Sequence, residues 1–524
     1  MKRKKATQLV VGVIAPYFKH EIAKDLQSNM FSIIIDETTD ISTKKLLILL
    51  VRYWKNGLIQ DRVFDLIEVR DASAQGMFNS LKHVLDFYQI PYTNLLGIAA
   101  DNASTMMGHL NGVQAKLRVI APHIHVQRCA SHSLHLCSSA AAKKLPNNVE
   151  QFTRDIYAYF SHSSKRQEEL EECQVFAKEN PAKMLYPSQT RWLSLRAVVN
   201  RILDHWNSLI IFFTRAALED NLPTAKSILG ALKNDIYKMY LLFFSYVLEL
   251  VTKVNLEFQS EQPKLPIFLE RMTTLYRIIL KGFTKKHILE TVPLSNINVC
   301  HPKNYLEIYK MFFGAKVDTI LKAETIDKGD VHNFRLKAME FYIELAKQIK
   351  ERFNFEDEIL KYASYFTPQR TLSGEILSIA QFVNLFPNVT IDIEAANTEW
   401  LLISDIANNS IDLASDLDNI CKFWGKIENI KNSLNENMFP NLMKLVKIIL
   451  SLPNSSAAAE RAFSGLTLAK TKLRNRLLIS TCSAILITKD NLRKIENGSL
   501  GWRPPLSIIN YNSHAIEKIN IEEE

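Results

Sequence analysis

The spacing of short apolar segments in the first 130 residues constrains the fold of this chain more than any other feature. Three segments rich in Ile, Leu, Val and aromatic residues follow one another closely, at 31–36, 46–54 and 63–69. Lys55-Asn-Gly57 lies between the last two and is a hairpin-turn sequence. Two further short segments, 95–100 and 125–128, have the same composition. The sequence therefore predicts a sheet of up to five strands.

Helices are predicted to alternate with these strands. Apolar residues at helical spacing predict helices over 7–30, 73–88 and 131–144. The order strand, strand, strand, helix, strand, helix, strand predicts an α/β fold, with a mixed sheet flanked by helices.

The hydrophobic pattern of the rest of the chain is different. From about 145 to 430 the pattern is one of amphipathic helices without strand alternation, which predicts a large all-helical insertion. A helix near 438–452 follows, and then a long helix that begins at Ser455, with Ser455 or Ser456 as its N-cap and an apolar run that continues beyond Leu477.

Composition and charge limit the classes of protein. Of 524 residues, 47% are hydrophobic and 23% are charged, which is ordinary for a soluble globular protein. Six dispersed cysteines are too few for a disulfide framework and indicate a reducing, intracellular compartment. No apolar secretory segment follows Met1, and the apolar stretches are too short or too interrupted to span a bilayer, so no membrane partner is expected.

The charge balance leaves two readings open. A net charge of +9 permits a polyanionic partner, but it also fits scattered surface lysines. The basic run from Lys2 to Lys5 fits part of a nuclear address, a phosphate-contacting arm or a solvated terminus.

Three acidic residues that are far apart in the sequence suggest a metal-dependent reaction. Asp36 follows Ile-Ile-Ile and Asp101 follows Ile-Ala-Ala, each at the end of a candidate strand, while Glu460 lies in the alanine-rich helix. Two strand-end aspartates and a helical glutamate can hold two metal ions for phosphoryl transfer. Each also has an ordinary local explanation: a polar turn for Asp36, a helix cap for Asp101 and a surface position for Glu460. Only a folded domain interrupted by an insertion could bring them together.

Three further segments have candidate functions. Cys129 and Cys137 lie among histidines but not in CxxC pairs, so structural zinc is not expected. His132 is a candidate hydrogen-bond donor to a phosphate or a partner of an active-site carboxylate. Arg191 is suited to contact a phosphate, and Trp192 is suited to stack on an extruded base. The alternative is that Trp192 is buried between helices and Arg191 lies at the edge of that contact. Four cations suit either a nucleic-acid backbone or a solvated helix face: Lys470, Lys472, Arg474 and Arg476.

Taken in order, these motifs resemble those of the hAT superfamily of DNA transposases and the host proteins derived from them. The resemblance covers nearly the whole chain and rests on several motifs that are weak singly and strong jointly. They are Ile-Ile-Asp36-Glu-Thr-Thr-Asp40-Ile-Ser, Asp101 with Met106-Met-Gly108, Cys129-x-x-His132, Thr190-Arg191-Trp192, and Ser455-Ser-Ala-Ala-Ala-Glu460-Arg-Ala-Phe-Ser464 followed by Arg474-Asn-Arg476-Leu.

The resemblance implies an RNase H-like core that a helical insertion interrupts and C-terminal helices complete. The implied division is an N-terminal basic segment and helix over 1–30, the first part of the core over 31–145, the insertion over 146–430, a hAT dimerisation region over 431–500 and a tail over 501–524. The implied partners are DNA and a second copy of the chain, in the nucleus, with no small-molecule cofactor.

The resemblance also implies the reaction and its residues. Asp36, Asp101 and Glu460 become a triad that binds two Mg²⁺ or Mn²⁺ ions for DNA strand cleavage and transfer. His132 becomes an active-site residue near the cleaved phosphate, and Trp192, with Arg191 alongside, stabilises a flipped base.

One departure from the family pattern keeps a second function open. Such transposases often begin with a BED-type zinc finger, and no Cys and His pairs of that kind precede Asp36. Either the chain is a fragment or it has lost its reader of specific DNA. The alternative function is that of a domesticated, non-catalytic nuclear protein that uses the fold for dimerisation and for chromatin or protein interactions.

Overall fold

The structure is a computed structural model that describes residues 3–186, 192–219, 222–323, 326–408, 416–506 and 508. It divides into two compact units. The sheet unit comprises residues 1–131, 258–269 and 357–524, and the helical unit comprises residues 132–257 and 270–356. The sheet unit contains all the strands among the described residues.

Five strands form one mixed sheet, in the order β3-β2-β1-β4-β5. They are β1 (Phe31–Thr39), β2 (Lys45–Lys55), β3 (Leu58–Glu68), β4 (Leu95–Ala100) and β5 (His125–Arg128). β1, β2 and β3 pair antiparallel, whereas β4 lies parallel to both β1 and β5. The predicted α/β class and mixed sheet are confirmed.

The turn between β2 and β3 has the predicted hairpin geometry. Asn56 and Gly57 both have positive φ, at 52° and 74°, as a two-residue turn with the twist of a hairpin requires. β3 therefore starts at Leu58, five residues before the predicted position, because the chain pairs with β2 directly after the turn.

The other regular elements among the described residues are helical. The helices up to the end of the first long all-helical stretch are α1 (Arg3–Leu9), α2 (Ala15–Ser28), α3 (Ala74–Phe87), α4 (Ser104–Met107), α5 (Val113–Ile120), α6 (Ala130–Ala142), α7 (Asn147–Ser161), α8 (Ser164–Phe176), α9 (Trp192–Asp204), α10 (Trp206–Glu219), α11 (Pro223–Leu232), α12 (Asp235–Phe258), α13 (Leu265–Lys281), α14 (Lys286–Thr291), α15 (Ala315–Lys322) and α16 (Lys328–Arg352). Those that follow are α17 (Glu358–Ala363), α18 (Pro368–Ser373), α19 (Ala380–Val383), α20 (Ile393–Asn408), α21 (Ile420–Glu428), α22 (Pro440–Ser451), α23 (Ala457–Ala469), α24 (Ile479–Arg493) and α25 (Gly498–Gly501). A π-helical segment, Val10–Ile14, joins α1 to α2.

The two faces of the sheet pack against different helices. Ile33 and Ile35 of β1 lie in a core with residues of α3 and α5. Ile34 lies on the opposite face, in a core with Ala459 of α23 and Ile487 of α24. We call this second surface the α24 face of the sheet. The alternation follows from the two-residue repeat of a strand.

The prediction of one long helix from Ser455 is wrong. α23 ends at Ala469, a 3₁₀ turn spans Lys472–Arg474, and α24 starts only at Ile479. Lys470 leaves the helical conformation, with φ −109° and ψ 90°, and turns its side chain into the protein. Of the two proposed caps, Ser456 occupies the N-cap position but forms no side-chain capping bond, whereas Ser455 Oγ accepts one from the backbone N of Ala457 at 3.4 Å.

The predicted insertion over 146–430 does not share its limits with the helical unit. That unit begins at 132 and ends at 356, and residues 357–430 belong to the sheet unit. Among the described residues one helix, α12, has the length and composition to cross a membrane, contrary to the expectation that every apolar stretch is too short or interrupted. Its apolar window is 61% buried within the protein, as in the core helix of a globular unit.

A buried carboxylate from one helix caps another. Glu399 of α20 accepts hydrogen bonds from Leu442 N at 2.7 Å and from Asn441 N and Nδ2 at 3.0 Å and 3.1 Å. We expect Glu399→Ala to lower the free energy of unfolding by about 1–3 kcal/mol, because buried donors lose their acceptor. Urea denaturation measures the change. Glu394→Ala, on the exposed side of the same helix, is the control, and an equal loss there would refute the capping role.

Candidate active site

Asp36 and Asp101 lie at the same edge of the sheet. β1 and β4 are parallel neighbours in which Ile34 pairs with Ala99. Asp36 is two residues beyond Ile34, and Asp101 is two residues beyond Ala99, directly after the end of β4. Because the carboxyl ends of parallel strands meet at one edge, this register places the two aspartates level with each other.

Glu460 is on the helix that covers this part of the sheet. Ala458 and Ala459 of α23 pack in the same core as Ile34 and Ala99, on the α24 face. Their small side chains let α23 pack closely on the strands. Glu460 follows them in the first turn of α23, and its side chain is exposed.

The charges of Asp101 and Glu460 act on Asp36. The pKa of Asp36 is raised from 3.8 to about 7, first by burial and next by the negative charge of Asp101, with smaller contributions from Glu460 and Glu37. Burial favours the neutral acid because the protein solvates a charge poorly, and each nearby carboxylate adds repulsion. Asp36 therefore lies within electrostatic range of the other two predicted residues.

Asp36 has little local compensation for its charge. Within the described part of the chain, its carboxylate accepts one hydrogen bond, from Glu37 N at 2.9 Å, and forms no ion pair. Asp101 accepts one from Ala103 N at 3.2 Å, so it ties the turn after β4. It is not the side-chain cap of α4, whose N-cap residue is Ala103.

The oxygen atoms of the three carboxylates suit a hard divalent cation, but the three side chains are not close enough together to enclose one. Carboxylate oxygens are the ligands that Mg²⁺ and Mn²⁺ prefer. Among the described residues, no three His, Cys, Asp or Glu side chains are grouped closely enough to hold a metal ion together. The charge effects on Asp36 show only that Asp101 and Glu460 lie within electrostatic range of its carboxyl group.

The motif around Glu460 also binds a second segment of the sheet unit, which sequence reasoning missed. Asn454 Nδ2 and Ser455 Oγ donate to the carbonyl oxygen of Phe258 at 3.0 Å and 2.9 Å. Arg461 Nη1 donates to the carbonyl oxygen of Gln259 at 2.7 Å. The polar residues on both sides of the alanines thus fix the start of α23 to the segment 258–261.

Lys470 has a different role from the predicted one. Its Nζ lies 2.6 Å from Asp40 Oδ2 in an ion pair whose side chains are only 3% and 2% exposed. Lys470 is therefore not available to a nucleic-acid backbone. The other three predicted cations, Lys472, Arg474 and Arg476, are exposed between α23 and α24.

The remaining predicted site residues are His132, Arg191 and Trp192. His132 belongs to the helical unit, on α6, where its ring centroid is 6.2 Å from that of His135. Arg191 lies outside the described residues, and so does the side chain of Trp192, whose backbone begins α9. The roles of these three residues stay predictions.

Comparison with protein families gives two matches at opposite ends of the chain. Residues 4–112 match the family described as the ZMYM1/FAM200 RNase-like domain, DUF4371. Residues 411–492 match the hAT family C-terminal dimerisation region. Asp36 and Asp101 fall in the first match, and Glu460 falls in the second. The predicted resemblance to hAT transposases is therefore confirmed over these two regions.

Proposed function

We propose that the sheet unit of this dimerising protein cleaves and joins DNA strands with the aid of divalent metal ions. Asp36, Asp101 and Glu460 would hold Mg²⁺ or Mn²⁺. The observation that carries the proposal is the register of β1 and β4, which brings Asp36 and Asp101 level with each other at one edge of the sheet. The raised pKa of Asp36, which burial and the charges of the other two carboxylates cause, supports it. Buried carboxylates that repel one another are a common feature of sites that take up a cation or a proton.

The chemistry follows from the type of ligand. Two bound divalent ions would activate the attacking oxygen and stabilise the leaving oxygen of a phosphodiester. The protein's own contribution is to fix three negative charges at one edge of the sheet. At pH 8 Asp36 is mostly ionised, because its pKa is about 7, and it is then able to bind a cation.

DNA contacts are proposed for the exposed cations that follow α23. Lys472, Arg474 and Arg476 are exposed, so their charges are free to neutralise phosphates and release counterions. His132, Arg191 and Trp192 complete the proposed set. A nuclear location, with the basic run before Thr7 as part of its address, is also a proposal.

One observation favours the second candidate, a non-catalytic nuclear protein that dimerises through the same fold. The described carboxylates are not grouped at the spacing of a metal cage. In that case Asp36, Asp101 and Glu460 would remain in the protein without a catalytic function, and no divalent ion would bind to them.

The decisive experiment compares DNA nicking by purified wild type and Asp101→Asn. With Mn²⁺ or Mg²⁺ at pH 8, we expect wild type to nick or join plasmid DNA and Asp101→Asn to fall to background, at least about a hundredfold lower, because a metal ligand is lost. Asp86→Asn, an exposed carboxylate paired with Lys82, is the matched control and should retain activity. Equal activity in Asp101→Asn and wild type would indicate a contaminating nuclease and reject the proposal.

A further inference from the structure

The turn between β1 and β2 contains a buried ion pair with the end of α23. Lys470 Nζ contacts Asp40 Oδ2 at 2.6 Å and Ser42 Oγ at 2.8 Å. Asp40 Oδ1 also accepts hydrogen bonds from Ser42 N at 2.8 Å and Lys44 N at 2.9 Å. Asp40 is thus held rigidly by its own turn, and Lys470 is the partner that reaches it from another part of the chain.

Such a pair is costly to bury, so its position calls for an explanation. Removing two charges from water offsets much of their mutual attraction, and buried pairs are therefore weak sources of net stability. They do fix the geometry of the elements that carry them when both partners are fully hydrogen-bonded. Asp40 accepts hydrogen bonds from Ser42 and Lys44 as well as from Lys470, and Lys470 donates to both Asp40 and Ser42.

The distances along α23 and along β1 relate this ion pair to the carboxylates of Glu460 and Asp36. Lys470 is ten residues after Glu460, which is about 15 Å along a helix. Asp40 is four residues after Asp36, which is about 13 Å along an extended chain. The two lengths are similar, and observed packing fixes both ends: Ala459, next to Glu460, lies in one core with Ile34 of β1, and Lys470 pairs with Asp40.

We propose that Lys470 and Asp40 are positioning residues that set the place of Glu460 relative to Asp36 and Asp101. Hydrogen bonds to the segment 258–261 hold the start of α23, and the ion pair holds its C-terminal end against the turn after β1, so that the helix is fixed at both ends. The ion pair thereby joins the region matched by the dimerisation family, which contains Lys470 and Glu460, to the RNase-like region, which contains Asp36, Asp40 and Asp101. This inference rests on the proposed metal site.

Measurement of Mn²⁺ affinity in the folded, full-length protein tests the inference. Lys470→Met keeps the apolar stem of the side chain and removes its charge. We expect it to weaken Mn²⁺ binding at least tenfold at a temperature well below unfolding, as followed by titration calorimetry. Ser42→Ala, which removes one contact of Lys470, should weaken binding by a smaller factor and guards against failure of the first variant to fold.

A second buried ion pair in the same unit is the matched control. Arg52 Nη1 lies 3.0 Å from Asp61 Oδ1, with side chains 3% and 11% exposed, between β2 and β3. Arg52→Met should destabilise the fold to a similar degree but change Mn²⁺ affinity less than twofold. Unchanged affinity in Lys470→Met, or an equal loss of affinity in Arg52→Met, would overturn the positioning role.

Hydrogen exchange separates this inference from the proposed function. Lys470→Met should accelerate amide exchange in α23 by at least tenfold, whereas Arg52→Met should not. If wild type fails to bind Mn²⁺, the metal site is rejected. If amide exchange in α23 is also unchanged in Lys470→Met, the ion pair does not anchor the helix either. If wild type binds Mn²⁺ and α23 exchange is unchanged in Lys470→Met, only the positioning role falls.

Discussion

Asp36→Asn is expected to raise the thermal stability of the metal-free protein at pH 8 and to abolish its stabilisation by Mn²⁺. The folded-state pKa of Asp36, about 7, lies above its ordinary value of 3.8. The folded protein therefore holds a proton that the unfolded chain has lost, and stability falls as pH rises from about 4 to about 7. The full shift corresponds to about 4 kcal/mol, which the neutral amide would recover in part.

Thermal denaturation between pH 4 and pH 8, with EDTA and with Mn²⁺, measures both effects. Wild type should lose stability toward pH 8 in EDTA and regain it with Mn²⁺, since the ion binds only the ionised cluster. Asp36→Asn should show a flatter pH dependence and no response to Mn²⁺. The control, Asp86→Asn, removes a carboxylate whose pKa is lowered by its hydrogen bond to Lys82, and it should not raise stability. A lower melting temperature for Asp36→Asn at pH 8 would contradict the argument.

The sheet was predictable where the sequence signal is local. The limits of β4 and β5 agree with the predicted segments because each is a short run ended by a turn or a polar residue. The first half of β3 was missed because Gln60, Asp61 and Arg62 do not look like a strand. Their strand conformation depends on pairing with β2, in which Asp61 lies opposite Arg52.

The position of Asp36 and Asp101 at one edge of the sheet was predictable for a different reason. A charged residue directly after an apolar strand is rare unless it has a use, and small residues before Glu460 indicate close packing of its helix. The pairing of Lys470 with Asp40 was not predictable, because the partner is 430 residues away and a Lys among other cations looks like a solvated face. The binding of the segment 258–261 was equally hidden. Its acceptors are the backbone carbonyls of Phe258 and Gln259, which leave no mark on the sequence.

Ala459→Leu is expected to destabilise the sheet unit and to weaken metal binding together. Ala459 is fully buried and packs with Ile34 and Ala99 on the α24 face of the sheet. A larger side chain has no space there, so α23 must move away from β1, at a cost of about 1–3 kcal/mol. Since Glu460 is the next residue, the same movement takes its carboxylate away from Asp36.

Thermal denaturation and Mn²⁺ titration of the same sample check both parts. Ser464→Leu makes the same kind of change on the exposed side of α23 and should leave stability within about 0.5 kcal/mol and Mn²⁺ affinity unchanged. If Ala459→Leu lowers stability while Mn²⁺ affinity remains that of wild type, Glu460 does not depend on the packing of α23. The carboxylate of Glu460 would then lie outside the metal site, and two aspartates alone would have to account for any binding.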